Sequence, residues 1–132
     1  MRSRPLLLLL LALALTPACA STRPGPALAG EERVAFAQEG VASYYGREHH
    51  GRRTASGAVF DDRRLTAAHR TLPFGTRVRV TNLDNGRHVV VTVTDRGPYR
   101  RERVIDVSRR AAKDLGFLRE GTARVRVEAI SG

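Results

Sequence analysis

Residues 76–95 read TRVRVTNLDNGRHVVVTVTD, two β-branched runs either side of Asn85-Gly86. An Asn-Gly pair between alternating runs is the strongest short-range hairpin signal, because both central positions of a type I′ turn take positive φ. With those two residues as the loop, Val78 is expected to face Val93 and Val80 to face Val91 on one apolar face. Arg79 then pairs with Thr92, and Thr81 with Val90, on the other face. Asp95 continues the series Val91, Val93, so alternation starts it on the core side, just where the strand gives way to Gly97-Pro98. A lone acidic residue there is either a turn-capping Asx group or a catalytic carboxylate.

Outward from the hairpin, GVASYYG (40–46) reads as a first strand, residues 47–64 as a polar, Gly-interrupted loop, and LTAAH (65–69) as a short apolar element. RVIDVS (103–108) is another strand. SRRAAKDLGF is a short helix with Ser108 as N-cap and Gly116 at its C-terminal end. The chain closes on a strand in which Ala123, Val125, Val127 and Ala129 alternate with Arg124, Arg126 and Glu128. Several strands and one or two short helices in so few residues point to a mainly β fold, a small closed barrel, because closure removes edges that a short chain cannot cover. The domain is expected over 40–130, after a linker at 19–39 that carries Pro24, Gly25 and Pro26 and a frayed helical turn around EERVAFAQ.

The first residues belong to export rather than to the fold. Arg2 and Arg4 precede an apolar run from Leu6 to Leu15, too short to span a bilayer core of about 30 Å as a helix. Residues 1–18 read as a signal peptide cleaved before Cys19, which would then carry a lipid, or after Ala20 or Ala29. Cys19 is the only cysteine, so the domain has no disulfide to lean on. Removing residues 1–18 subtracts Arg2 and Arg4 from the formal charge of +10 and leaves +8. Such a field favours anionic partners. Export makes nucleic acid the weakest of these and leaves anionic lipid or the acidic polymers of a cell envelope. His49 and His50 are adjacent in a loop, a weak pattern for a metal, and none is expected.

GVASYYG, GRRTASGAVFD, LTAAHRTLPFGTRVRVTNLDNGR and VTDRGPYRRERVIDVSRRAAKDLG together resemble, in order and spacing, the rare lipoprotein A (RlpA-like) family. The resemblance implies a six-stranded double-psi β-barrel. It also implies an endolytic lytic transglycosylase that cuts between N-acetylmuramic acid and N-acetylglucosamine, leaving 1,6-anhydro ends, without a cofactor. Asp95, in TDRGP, falls on the family's catalytic Asp, and His69, in TAAHRTLPFG, on its active-site His. Tyr44 or Tyr45 would line a sugar groove, while the other of the two packs inward, and Thr54, Ser56, Asn82, Arg96 and Tyr99 are further candidates for the cleft. The expected partners are peptidoglycan glycan strands, peptide-stripped ones included, and an envelope or divisome protein. The protein itself is expected to be a monomer of the bacterial envelope, held at the membrane only through a lipid on Cys19 and facing the periplasm, or else periplasmic or secreted.

The chain departs from the family at one telling position. Where the motif usually runs Gly-Glu before an aromatic-Asp pair, this sequence has Gly57-Ala58-Val59-Phe60-Asp61. A methyl group neither holds a charge against a developing cation nor accepts a proton. The alternative to an enzyme is therefore an expansin-like module that binds peptidoglycan without turnover, unless Glu48 or Asp61 replaces the missing carboxylate in space.

Overall fold

The computed structural model describes residues 33–131. Cys19 and the expected signal segment lie outside them. Among the described residues six strands form a closed barrel: β1 (Arg33–Tyr44), β2 (Thr66–His69), β3 (Arg77–Asn82), β4 (His88–Asp95), β5 (Arg103–Val107) and β6 (Thr122–Ser131), with one helix, α1 (Arg109–Leu115), and a single 3-10 turn at Arg47–His49. The order around the barrel is β1-β5-β2-β4-β3-β6. Two parallel pairs, β1/β5 and β2/β4, meet at the antiparallel β2/β5 seam, and β6 closes the sheet against both β1 and β3. This is a double-psi β-barrel, as the resemblance implies.

The domain starts earlier than Gly40. β1 begins at Arg33, and of the stretch expected to be linker and helical turn the described residues, 33–39, are strand, paired with the second half of β6 around a bulge at Ala35. The alternating pattern of β6 is ten residues long, and its backbone groups need a partner along that whole length. Arg33 to Glu39 supply it.

The hairpin forms, with a different turn. Val78 faces Val91, Val80 faces Val89, and Arg79 faces Val90, so the loop holds four residues, Leu83 to Gly86, rather than two. A type I′ turn needs positive φ at Asn85, and here only Gly86 has it, at 75°. Asn85 is committed elsewhere: its Nδ2 donates to Leu115 O at 2.9 Å, beside Asn82 Nδ2 on the same carbonyl at 3.0 Å. Two side chains from the hairpin thus satisfy a carbonyl at the end of α1, one of those a helix leaves unpaired. That tertiary demand overrides the local turn preference. The register moves by two residues, which keeps parity, so Val78, Val80, Val91 and Val93 are all buried.

The core is built from these valines with Ile105, Val107, Leu115, Phe117, Val125 and Val127, all essentially inaccessible to water. Helix α1 starts as the sequence suggests: Ser108 Oγ accepts from Ala111 N, and Gly116 ends the helix in the left-handed region at φ 79°.

Candidate active-site cleft

The register of the sheet sets one row of side chains apart from the core. Ala67 pairs with Val93, but Ala68 pairs with Asp95, so β4 carries one extra residue at Thr94. This bulge breaks the alternation that would have put Asp95 in step with Val93. Ala68 also pairs with Asp106, and Asp106 with Ser43. Ser43, Asp106, Ala68 and Asp95 therefore form a row across four strands, beside the core-facing row of Tyr44, Val107, Ala67 and Val93. Asp95 belongs to the outer row, not to the core face as simple alternation predicts.

Over this row opens a cleft of about 560 Å³, lined by Ser43, Tyr45, Glu48, Asp95, Tyr99 and Asp106 among others. Asp95 is held on both oxygens. Oδ1 accepts from the backbone N–H of Ala55 at 2.8 Å and of Arg96 at 2.9 Å, and Oδ2 accepts the Tyr45 hydroxyl at 2.6 Å. Burial, followed by the hydrogen bond to Asp95 and the charges of Asp95 and Asp106, pushes the Tyr45 phenol far above its ordinary value, so it stays protonated across the physiological range. Its ring is fixed against Phe60, centroids 4.4 Å apart, and against the His49 ring at 5.2 Å.

The other candidates divide into those at the cleft and those away from it. Tyr44 lines the cleft yet packs mainly on the core, edge-on to Phe117 with its hydroxyl donating to Leu118 O at 2.8 Å. Tyr99, 81% exposed, offers a free ring at the rim. Arg96 lines the wall, but its guanidinium lies 4.0 Å from the Phe74 ring centroid and donates to Leu72 O at 2.8 Å, which ties the 70–74 turn to the strand end. Thr54 and Ser56 bond each other at 3.0 Å, and Thr54 Oγ1 donates to Ala58 O, so their hydroxyls brace the loop whose Ala55 N–H reaches Asp95.

Asn82 and His69 lie elsewhere. Asn82 is buried under α1 as described, remote from the cleft lining. His69 sits in a separate hollow with Phe36, Gln38 and Val104. Its Nδ1 accepts from the N–H of Thr71 and of Leu72, both at 3.2 Å, so Nε2 carries the hydrogen and donates to Gln38 Oε1 at 3.2 Å. Burial first, then the Arg96 and Arg70 guanidiniums, lowers its pKa. The ring is a satisfied neutral histidine that holds the turn carrying Phe74, and it touches Asp95 only through that turn and Arg96.

Sequence reasoning missed Asp106. Inside RVIDVS it reads as one polar residue of an alternating strand, and only the pairing of β5 with both β1 and β2 reveals its place. Ser43 Oγ donates to Asp106 Oδ1. Of the two residues suggested as stand-ins for the missing acid, Glu48 lines the cleft and Asp61 does not. Asp61 is bound by Arg63 through Nε at 3.0 Å and Nη2 at 3.1 Å, which holds its carboxyl down at about 2. Ala58 lies exposed on the 54–58 loop, its carbonyl accepting from Thr54 N at 2.8 Å. His50, Asp61 and Asp62 cluster nearby, with Arg63 bound to Asp61 and the Asp62 N–H donating to His50 Nδ1.

A closed double-psi barrel that carries two carboxylates on its outer wall, under an open groove rimmed by tyrosine, defines the class. The chain belongs to the family described as lytic transglycolase, whose model matches residues 37–127. It is 55% identical over 96 residues to the endolytic peptidoglycan transglycosylase RlpA of Pseudomonas aeruginosa, a match covering 73% of this chain and 28% of that protein. To the protein of the same name in Neisseria meningitidis it is 53% identical over 95 residues, covering 72% and 40%. The chain thus matches well under half the length of these relatives. Among solved structures, a Streptomyces papain inhibitor superposes with a TM-score of 0.59 at 25% identity, over 75% of this chain and 97% of that one. The apo expansin of Clavibacter michiganensis superposes with a TM-score of 0.57 at 21% identity, over 73% and 51%, a likeness of fold alone.

Proposed function

We propose that the barrel binds peptidoglycan glycan strands in the Asp95 cleft and cleaves them as a lytic transglycosylase in the cell envelope. The observation that carries this reading is the hydrogen bonding of Asp95. Its Oδ1 is occupied by two backbone N–H groups, which leaves Oδ2, shared with the Tyr45 hydroxyl, as the oxygen that gives and takes a proton. A hydroxyl both donates and accepts, so Tyr45 serves either protonation state.

Cleavage begins with Asp95 protonating the glycosidic oxygen, which leaves with the bonding pair. Positive charge builds on the muramic C1, within reach of the field of Asp106. The muramic C6 hydroxyl then attacks C1, and Asp95 takes its proton back, so the acid is regenerated and no water is consumed. One carboxylate does the work of both acid and base because the nucleophile is part of the substrate, unlike the two-carboxylate arrangement built around water or a covalent intermediate. Exposed Tyr99 supplies a flat face to a pyranose ring, and the net charge of the domain favours an anionic wall.

Ala58 favours a second reading, a groove that binds glycan without cutting it. Incubating the protein with purified sacculi and with peptide-free strands separates the two. The enzyme reading requires soluble fragments with 1,6-anhydro-muramic ends, and retained glycan without such ends leaves only the binding module. Ala58→Glu sharpens the test: if the missing acid limits turnover, restoring it raises the rate by about 10², a typical acid/base or electrostatic contribution. An unchanged rate means that the carboxylates already in the cleft suffice.

A further inference from the structure

A second hollow, of about 320 Å³, lies against α1 and is lined by Asp62, Arg63, Arg109, Arg110, Lys113 and Leu118. Four of those six side chains are cationic. Arg63 is engaged by Asp61 and Arg110 by Asp114, at 3.0 and 3.1 Å. Arg109 and Lys113, one helical turn apart, have no carboxylate partner among the described residues. The hollow thus holds two cations without a carboxylate partner, against the one carboxylate of Asp62 and the apolar side chain of Leu118, a balance that favours an anion.

Its position says which anion. The Arg109 guanidinium carbon is 5.7 Å from the centroid of the Tyr44 ring, and Tyr44 also lines the Asp95 cleft. Tyr44 thus lines the cleft and also touches two residues of the hollow, Arg109 through its ring and Leu118 through its hydroxyl. The two hollows share Tyr44 as a neighbour. A glycan strand built from muramic acid carries a carboxylate on the lactyl group of each muramic residue, or at the ends of the stem peptide when one is attached.

We infer that the Arg109/Lys113 hollow is a subsite for a carboxylate of the strand bound in the cleft, so that the protein discriminates acidic from neutral glycan next to the point of cleavage. This rests on the glycan reading above. The subsite explains how a groove whose own wall bears Asp95, Asp106 and Glu48 holds an acidic polymer at all: the strand's negative groups are drawn past Tyr44, away from the cleft carboxylates.

The test is binding, measured by calorimetry on the Asp95→Asn protein so that nothing is cut. Four ligands are compared: peptide-free glycan strands, the same strands with their carboxyls converted to amides, strands bearing stem peptides, and a neutral β-1,4-linked N-acetylglucosamine hexamer. Neutralising the strand carboxyls is expected to weaken binding about five- to tenfold, as for two partly exposed ion pairs. Arg109→Gln/Lys113→Gln is expected to bind native strands as weakly as it binds the amidated ones. Tighter binding of peptide-free than of peptide-bearing strands assigns the site to the lactyl carboxylate, and the reverse order to the peptide. Arg77→Gln/Arg124→Gln, which removes the same charge from exposed positions on the barrel, keeps the discrimination. The inference is overturned if the helix double variant still discriminates, or if the barrel control loses discrimination equally, since the effect is then the general field. Binding of the neutral hexamer without preference for acidic strands removes the subsite but leaves the cleft standing, whereas no binding of any ligand removes both.

Discussion

Asp95 and Asp106 flank Ala68: the one alanine pairs with Asp95 across β2/β4 and with Asp106 across β2/β5. Strands about 4.8 Å apart put the two acidic backbones roughly 10 Å from each other, with only a methyl group between them. The row leaves room for a sugar ring, and its two carboxylates both act on the Tyr45 phenol.

Asp106→Asn is therefore expected to lower kcat for anhydro-product release by about 10² to 10³, the loss typical of one electrostatic stabiliser, while glycan binding changes little. The amide keeps an oxygen to accept from Ser43. Parental kcat in this variant would reduce Asp106 to an anchor for β1.

The hairpin register makes a stability prediction. Val78 and Val91 are directly opposed and fully buried, so Val78→Ala and Val91→Ala each cost about 1 to 3 kcal/mol in urea melts. As neighbours they couple: the double variant departs from the sum of the two by at least about 0.5 kcal/mol. Strict additivity would contradict the pairing.

His69 gives a pH dependence. Its folded pKa is lowered from an ordinary value of 6.5, so the unfolded chain binds its proton first as the pH drops. The stability His69 contributes is whole above about 6.5 and declines as the pH falls below it. The stability gap between the parent and His69→Gln is expected to narrow from pH 7 to pH 5. A gap that widens on acidification would mean that the ring is protonated in the folded protein. At pH 7 the variant should lose more stability than it loses kcat per folded molecule, because the ring holds a turn and does not reach the cleft.

Much of the barrel is legible because most strands announce themselves as apolar or alternating runs, the first half of β1 excepted, and Ser108 and Gly116 bracket α1 with standard caps. Local signals fail where a distant group outbids them. Asn85-Gly86 asks for a two-residue turn, but Leu115 O, some thirty residues on, claims the Asn85 side chain. Asp95 reads as core-facing because a bulge at Thr94 leaves no mark in a run of β-branched residues. For the same reason Asp106 goes unnoticed: its role depends on which strands flank β5, and parallel pairing across crossovers is not written in any short window. His69 stands in a telling motif, yet a histidine that accepts two backbone N–H groups looks no different in sequence from one that moves protons.

The most direct test replaces Asp95 by Asn and follows peptide-free glycan strands by mass spectrometry. The amide preserves shape and an oxygen for the Ala55 and Arg96 N–H groups, but it has no proton to give to the glycosidic oxygen. The parent is expected to release fragments with 1,6-anhydro-muramic ends, and Asp95→Asn to release none while retaining the strands at parental affinity. Anhydro fragments still released by Asp95→Asn at the parental rate would contradict the account and place the chemistry on another residue.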